Sequence, residues 1–170
     1  VDVEIQFCLA SRDPNGAPTT GITRTVSPLT VLDKNTQDLA LKSLNRWDPN
    51  RYINIWVVNE IIGNTAGYAY FPSAHGTNID GIVLQWSFMG SSNASSAVLV
   101  HEMGHYFGLY HTFEGGCTNN DCTTQGDKIC DTPPDNTTAR PPCGIAGNSC
   151  TSDEDDTSPN ISFRAVSLGV

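Results

Sequence analysis

The sequence predicts an α+β domain in two halves, one built of strands and helices and the other irregular. A cleft is expected between them. Two observations support this: apolar strand-like runs alternate with helical segments up to residue 111, and residues 114–160 have almost no periodic apolar pattern. The later region also carries most of the Cys, Pro and Asp residues, which are typical of loops. A chain of 170 residues has the length of one domain, or of one domain split into two lobes.

In the first half, residues 1–10 alternate well enough to be a strand, and turn residues dominate 11–21. Apolar residues recur at near-helical spacing in 35–46, which predicts an amphipathic helix closed by Asp48-Pro49. Residues 52–62 form an apolar β-branched and aromatic run, which predicts a strand central in a sheet.

The next segments lead to the second helix. Residues 64–76 are predicted to be a long loop, and 81–90, bounded by glycines, a further strand. Small capping residues followed by apolar positions predict a helix over 94–107.

That helix carries a histidine motif, "HEMGHYFGLYH". Residues four apart lie on one helical face, so His101 and His105 can share a metal ion. Glu102 projects about 100° away, where it can reach a water molecule at that metal. His111 would point about 120° away in a continued helix, so the helix must end, and Gly108 favours the left-handed turn that does this. Three imidazoles leave an open fourth position, the arrangement of a catalytic zinc site.

Charge and composition exclude other functions. The net charge is −9 and the nine basic residues are scattered, which argues against nucleic acid or an anionic membrane as a partner. No window is apolar enough for a transmembrane helix, and the start at Val1 without a leader is expected of a processed chain or an excised piece.

Cysteines and glycosylation sequons point to an oxidising compartment. No cysteine pair has C-x-x-C spacing, which favours disulfides over a zinc site. The six disulfide candidates are Cys8, Cys117, Cys122, Cys130, Cys143 and Cys150. Cys8, far from the others, is either paired across the sheet or a buried free thiol. Sequons at Asn93, Asn136 and Asn160 fit secretion but also arise by chance.

The motif H-E-x-x-H-x-x-G-x-x-H is the signature of the metzincin clan of zinc endopeptidases. The chain more specifically resembles the pappalysin family in "HEMGHYFGLYHTFEGGC", "GDKICDTPP", "SRDPNGAPTTGI", "YINIWVVN", "TAGYAYFP" and "DGIVLQW". The resemblance covers most of residues 1–135.

The resemblance implies a metzincin-like zincin, with a twisted mixed sheet, backing helices, an active-site helix and a short, irregular, disulfide-rich C-terminal lobe. Residues 1–111 would form the N-terminal subdomain and 112–170 part of the C-terminal one. His101, His105 and His111 would bind zinc, with Glu102 as general base. "GIVLQWSF" would be the edge strand that pairs with a peptide substrate, the alternative being a plain core strand. Asp121, Asp127 and Asp131 would form a structural calcium site, the alternative being a solvated acidic loop.

Two expected features of the family are missing from the printed sequence. Metzincins carry a methionine turn after the third histidine, but Met89 and Met103 both precede His111, and no C-terminal helix follows. The principal hypothesis is a secreted zinc endopeptidase acting on proteins or peptides. The alternatives are a truncated, weakly active or inactive extracellular domain that binds or assembles, and a zinc hydrolase of non-peptide substrates.

Overall fold

A computed structural model describes residues 5–89, 93–118, 120–130, 132–136 and 149–150, without the side chains of 93–96. Five strands and two α-helices occur in the described part. The strands are β1 (Val31–Leu32), β2 (Ile55–Val58), β3 (Glu60–Ile61), β4 (Gly67–Ala69) and β5 (Ile82–Gln85), and the helices are α1 (Lys34–Ser43) and α2 (Asn93–Tyr106). Short 3₁₀ helices span Pro72–Ala74 and Trp86–Phe88.

The main sheet has the order β2-β5-β4. β2 runs parallel to β5, with Trp56 opposite Val83, and β4 runs antiparallel to β5, with Tyr68 opposite the same valine. A second, two-stranded parallel pair joins β1 to β3. The sheet is therefore mixed, and β4 has a strand neighbour on one side only within the described residues.

The two helices cover opposite faces of the sheet. Val83 of β5 belongs to a core cluster with Leu41 of α1, together with Leu32, Trp56, Val58 and Ile61. Its neighbours Ile82 and Leu84 pack instead with Tyr106 and other residues of α2. Because successive side chains of a strand point to opposite faces, these contacts place α1 on one face and α2 on the other. Burial on both faces also explains why the first three residues of β5, Ile82, Val83 and Leu84, are all apolar.

A buried polar cluster ties α1 to β4. Asp38, 7% exposed, accepts hydrogen bonds from the hydroxyls of Tyr68 at 2.6 Å and Tyr70 at 3.0 Å. The ammonium of Lys42, 0% exposed, lies 3.1 Å from the same carboxylate and 4.1 Å from the Tyr70 ring centroid. These contacts hold the edge strand β4 against α1. Each buried charge of the cluster has a partner of opposite charge, as a buried ion pair requires.

Several predictions of secondary structure were wrong. The strand predicted at 1–10 is absent from the described residues 5–10, which are mostly exposed. The run 52–62 is divided into β2 and β3, and β2 lies beside β5 rather than in the centre. Its exposed and buried residues alternate, because only the face toward α1 is covered.

The segment predicted as a loop at 64–76 contains β4 and a 3₁₀ helix. The strand predicted at 81–90 is shorter, and it is the central strand β5, as the core-strand alternative predicted, rather than the substrate-pairing edge. Both errors have one cause: β4 returns antiparallel beside β5 and takes the edge position.

Both helices are confirmed, with shifted ends. The helix predicted at 35–46 spans Lys34–Ser43, and its first turn is capped by the side chain of Asp33, which accepts a hydrogen bond from the backbone of Asn35. The helix predicted at 94–107 spans Asn93–Tyr106. Neither described helix is long and apolar enough to cross a membrane.

Beyond the second helix, the described residues contain no further helix or strand, as predicted. Two disulfides cross-link the region after α2, Cys117–Cys150 and Cys122–Cys130. Cys143 lies outside the described residues. Cys8 is exposed, so the predicted buried thiol was wrong, and it pairs with none of the described cysteines; the predicted disulfide stays a prediction, because Cys143 is not described. The thiol is exposed because the segment around it is not incorporated into the sheet.

Candidate metal centre

The turn after α2 brings the third histidine of the motif back to the helix. Gly108 has φ +94°, a conformation that side chains other than glycine rarely adopt. Its amide donates to the carbonyl of His105, and the amide of Leu109 donates to the carbonyl of Gly104. A Cβ at Gly108 would lie 3.3 Å from Pro72 Cγ. Glycine is therefore required by both the backbone angle and the close packing of the turn.

Three imidazoles converge at this turn. The Nε2 atom of His105 lies 3.0 Å from that of His101 and 3.1 Å from that of His111, and the remaining Nε2 pair is 3.3 Å apart. Tetrahedral ligands with Zn–N bonds of about 2.0–2.1 Å stand roughly 3.3 Å from one another. Among the described residues, this is the one group of three or more metal-ligating side chains close enough to share an ion. The donor set and its spacing fit zinc.

The tautomer of His105 follows from its second ring nitrogen. Nδ1 lies 2.7 Å from the carbonyl oxygen of Leu109. A carbonyl only accepts, so Nδ1 carries a proton, and Nε2, which faces the other two histidines, is the nitrogen left to bind a metal ion. A backbone carbonyl that orients a histidine in this way is a common support of metal ligands.

Glu102 is buried beside the histidines, with 6% of its surface exposed. Burial raises the pKa of its carboxyl to about 7, although a hydrogen bond from the backbone N–H of Ala69 opposes the shift. A Cβ at Gly67 would lie 3.1 Å from Glu102 Cγ and 2.7 Å from Leu84 Cδ2. The edge strand β4 therefore packs directly on this carboxyl, and glycine makes the approach possible.

Aromatic rings surround the histidine cluster. The ring of Phe113 stacks on His111 at 4.6 Å between centroids, and Phe71 lies 5.5 Å from the His105 ring. Phe71 also packs against Tyr110 in a tilted arrangement, with 4.9 Å between ring centroids. These rings hold the imidazoles in place from two sides.

Two of the three acidic loop residues lie in the described part of the chain. Asp121 is exposed, and its carboxylate accepts hydrogen bonds from the hydroxyls of Thr123 and Thr124, which lower its pKa. Asp127 is buried and accepts from the amide of Ile129. Asp131 lies outside the described residues.

Of the three glycosylation candidates, the structure describes the side chain of one. Asn136 is exposed, while Asn160 and the side chain of Asn93 lie outside the described part.

Sequence reasoning missed three contributors to the site: the N–H of Ala69, the ring of Phe71 and the carbonyl of Leu109. The first two lie in the segment predicted as a loop. Its alternation of small and aromatic residues from Gly67 to Phe71 was a strand signal. The carbonyl of Leu109 carries no sequence signal, because every residue has one.

A mixed sheet with a helix on each face, and a histidine-rich helix that ends at a glycine turn, defines the metzincin-like class of metallopeptidase folds. Residues 35–161 match the family described as pregnancy-associated plasma protein-A. The chain therefore belongs to the pappalysin family of metallopeptidases, and the resemblance inferred from its motifs is confirmed.

Curated relatives are named extracellular metalloproteases. The chain is 34% identical over 137 residues to one from Pyricularia oryzae, covering 76% of this chain and 46% of the relative. It is 35% identical to extracellular metalloprotease 1 of Coccidioides posadasii, covering 75% of this chain and 46% of the relative. The chain thus spans about half the length of the curated relatives it matches.

A solved structure is also similar. Mature mirolysin of Tannerella forsythia, in complex with a cleaved peptide, matches with a TM-score of 0.66 and 32% identity. The match covers 84% of this chain and 57% of mirolysin. The metzincin-like α+β fold predicted from the sequence is confirmed.

Proposed function

We propose that this chain is the catalytic region of a secreted zinc endopeptidase that hydrolyses peptide bonds with water, using Glu102 as general base. The observation that carries the proposal is the convergence of three Nε2 atoms beside a buried carboxyl that is held by an edge strand. Membership of a metallopeptidase family supports it.

His101, His105 and His111 would hold the metal ion. Bound zinc would polarise the scissile carbonyl and make water nucleophilic near neutral pH. The residues of the chain would prepare the site in advance: the hydrogen bond from His105 Nδ1 to Leu109 fixes one ring, and Phe113 stacks on another. Such preorganisation removes a reorganisation cost from the reaction.

Glu102 would take a proton from the attacking water and pass it to the amine nitrogen that leaves as the peptide bond breaks. Burial next to Ala69 gives it a fixed position and a pKa raised by desolvation. The carboxyl cannot swing away easily, because Gly67 and Leu84 close the space around it.

The substrate would lie along β4. Tyr68 pairs with Val83, and the amide of Tyr70 donates to Gly81, so the backbone groups of Gly67 and Ala69 point away from β5. The N–H of Ala69 is taken by Glu102, which leaves the carbonyl of Ala69 and the backbone groups of Gly67 to pair with a substrate. An extended polypeptide can add to such an edge by main-chain hydrogen bonds, whereas a small molecule gains little there. This favours protein or peptide substrates over other substrates of a zinc hydrolase.

The test is cleavage of an unfolded protein by the metal-loaded chain, in the presence and absence of a chelator. Glu102→Gln should abolish cleavage and retain the metal, because the histidines are untouched. Glu114→Gln, at an exposed position after the motif, is the matched control and should keep full activity. Bound zinc without turnover in the wild type would reject the enzyme and favour the binding or assembly hypothesis.

Three further assignments accompany this proposal. The extracellular names of the relatives and the two disulfides support secretion. In a secreted protein the three sequons would be glycan acceptors, which mass analysis of the expressed protein tests. Asp121, Asp127 and Asp131 would bind calcium, and a rise in melting temperature with added calcium tests that assignment. The division of the chain at His111 into two subdomains stays a prediction.

A further inference from the structure

A lysine near the histidine cluster lies over one of a row of packed aromatic rings. Phe71 packs against Tyr110 in a tilted arrangement, and the ammonium of Lys128 lies 4.3 Å from the centroid of the Tyr110 ring. At the other end of the row, the centroid of Phe71 lies 5.5 Å from that of the His105 ring. We call these three residues, Phe71, Tyr110 and Lys128, the lysine platform. It connects the metal centre to an exposed positive charge.

The lysine is restrained more than an ordinary surface lysine. Its backbone has φ +64°, a region that non-glycine residues seldom adopt. Its ammonium donates a hydrogen bond to Tyr110 Oη at 3.2 Å while lying over the same ring. The strained backbone and the two side-chain contacts restrict the lysine before a ligand binds. A ligand therefore loses less binding free energy to the ordering of this side chain.

The charge of Lys128 is not neutralised within the described structure. The side chain is exposed, and it forms no ion pair with any described residue. An ammonium has three N–H donors, of which Tyr110 takes one. In a chain of net charge −9, a fixed cation beside the histidine cluster is a local exception to the acidic surface. It is suited to attract a negative group.

The platform begins where β4 ends. Phe71 follows the last residue of β4, Ala69, by two positions. A peptide extended along β4 advances roughly 3.3 Å per residue. The centroid distances from His105 through the platform therefore put the ammonium no farther from the His105 ring than about five extended residues. A peptide that continues from β4 toward Phe71 would bring a side chain within reach of it.

We infer that Lys128 forms a subsite for an acidic side chain, aspartate or glutamate, of the peptide substrate, a few residues from the scissile bond. The inference rests on the proposed function and adds a substrate preference to it. A carboxylate would accept charge-assisted hydrogen bonds from the remaining ammonium donors. The aromatic face of Tyr110 would hold the ammonium at a fixed height beside the peptide.

The test measures peptide binding separately from cleavage. Fluorescently labelled peptides, identical except for one Glu or Gln scanned through the positions flanking the cleavage point, are titrated into the metal-loaded Glu102→Gln protein. The Glu peptide should bind roughly two- to fivefold tighter at one position, the range of an exposed ion pair, and the ratio should fall with added salt. Lys128→Met should bring the ratio to one, and Lys128→Arg should keep it.

The matched control is Arg24→Met, which makes the same change in net charge at an exposed position. The inference is overturned if no position prefers Glu, or if the two methionine variants reduce the preference equally. A Glu preference lost only in Lys128→Met supports the subsite even if the wild-type chain cleaves nothing. A wild-type chain that cleaves nothing would then reject the proposed peptidase activity but not the subsite.

Discussion

Replacement of Gly108 by alanine is a sharp test of the link between the helix end and the histidine cluster. Gly108 has φ +94°, and Gly63, in a turn before β4, has φ +92°. A left-handed backbone costs an L-residue about 1–2 kcal/mol, so both alanine variants should lose about that much stability. The two sites differ in their surroundings: a Cβ at Gly63 meets nothing within 4 Å, whereas one at Gly108 lies 3.3 Å from Pro72 Cγ.

Gly108→Ala should therefore lose at least as much stability as Gly63→Ala and should also weaken metal binding. The added methyl pushes on Pro72, and the strain is relieved by moving the turn that positions His111. If the displacement of His111 makes metal binding about 1.4 kcal/mol less favourable, metal affinity falls about tenfold.

Urea denaturation of the metal-free proteins measures the stability loss, and competition with a chromophoric chelator measures metal affinity. Gly63→Ala should bind metal as the wild type does. The reasoning is refuted if Gly108→Ala keeps wild-type metal affinity, or if both variants lose it equally.

Three further predictions concern the elements that support the site. Asp38→Ala removes the carboxylate paired with the buried ammonium of Lys42, which keeps its hydrogen bond to the Ile79 carbonyl, and should cost about 3–5 kcal/mol in urea denaturation; a loss below about 1 kcal/mol would contradict the proposed role of the buried cluster. Gly67→Ala places a Cβ 3.1 Å from the buried glutamate side chain and should reduce cleavage at least tenfold with metal content unchanged, which steady-state kinetics and metal analysis check together. Replacing Cys117 and Cys150 by serine removes a cross-link between residues 33 apart and should cost about 3–4 kcal/mol; an unchanged melting temperature would count against that disulfide.

The motif helix could be predicted because its signal is local. The spacing of His101 and His105 follows from helical rotation, and the return of His111 follows from the need for a glycine turn. The structure brings the three Nε2 atoms within 3.3 Å of one another, as that reasoning requires.

The sheet could not be predicted as well, because strand order depends on contacts between distant residues. β4 is only three residues long and contains small side chains, so its apolar signal is weak. Because β4 was not predicted, the edge position was assigned to β5, which is the central strand. The N-terminal segment shows the converse error, since alternation in residues 5–10 does not by itself supply a pairing partner.

The platform around Lys128 had no sequence signal at all. Phe71, Tyr110 and Lys128 are far apart in sequence, and their rings and charge meet only through the turn after α2. Positive φ at a lysine is visible only in the folded chain.

The most direct test of the proposed metallopeptidase site is simultaneous measurement of bound metal and protein cleavage in the wild type and in Glu102→Gln. We expect one zinc ion per chain in both proteins and cleavage of an unfolded substrate by the wild type alone. A chain that binds no metal at the three histidines, or a Glu102→Gln variant that cleaves as fast as the wild type, would contradict the proposed site.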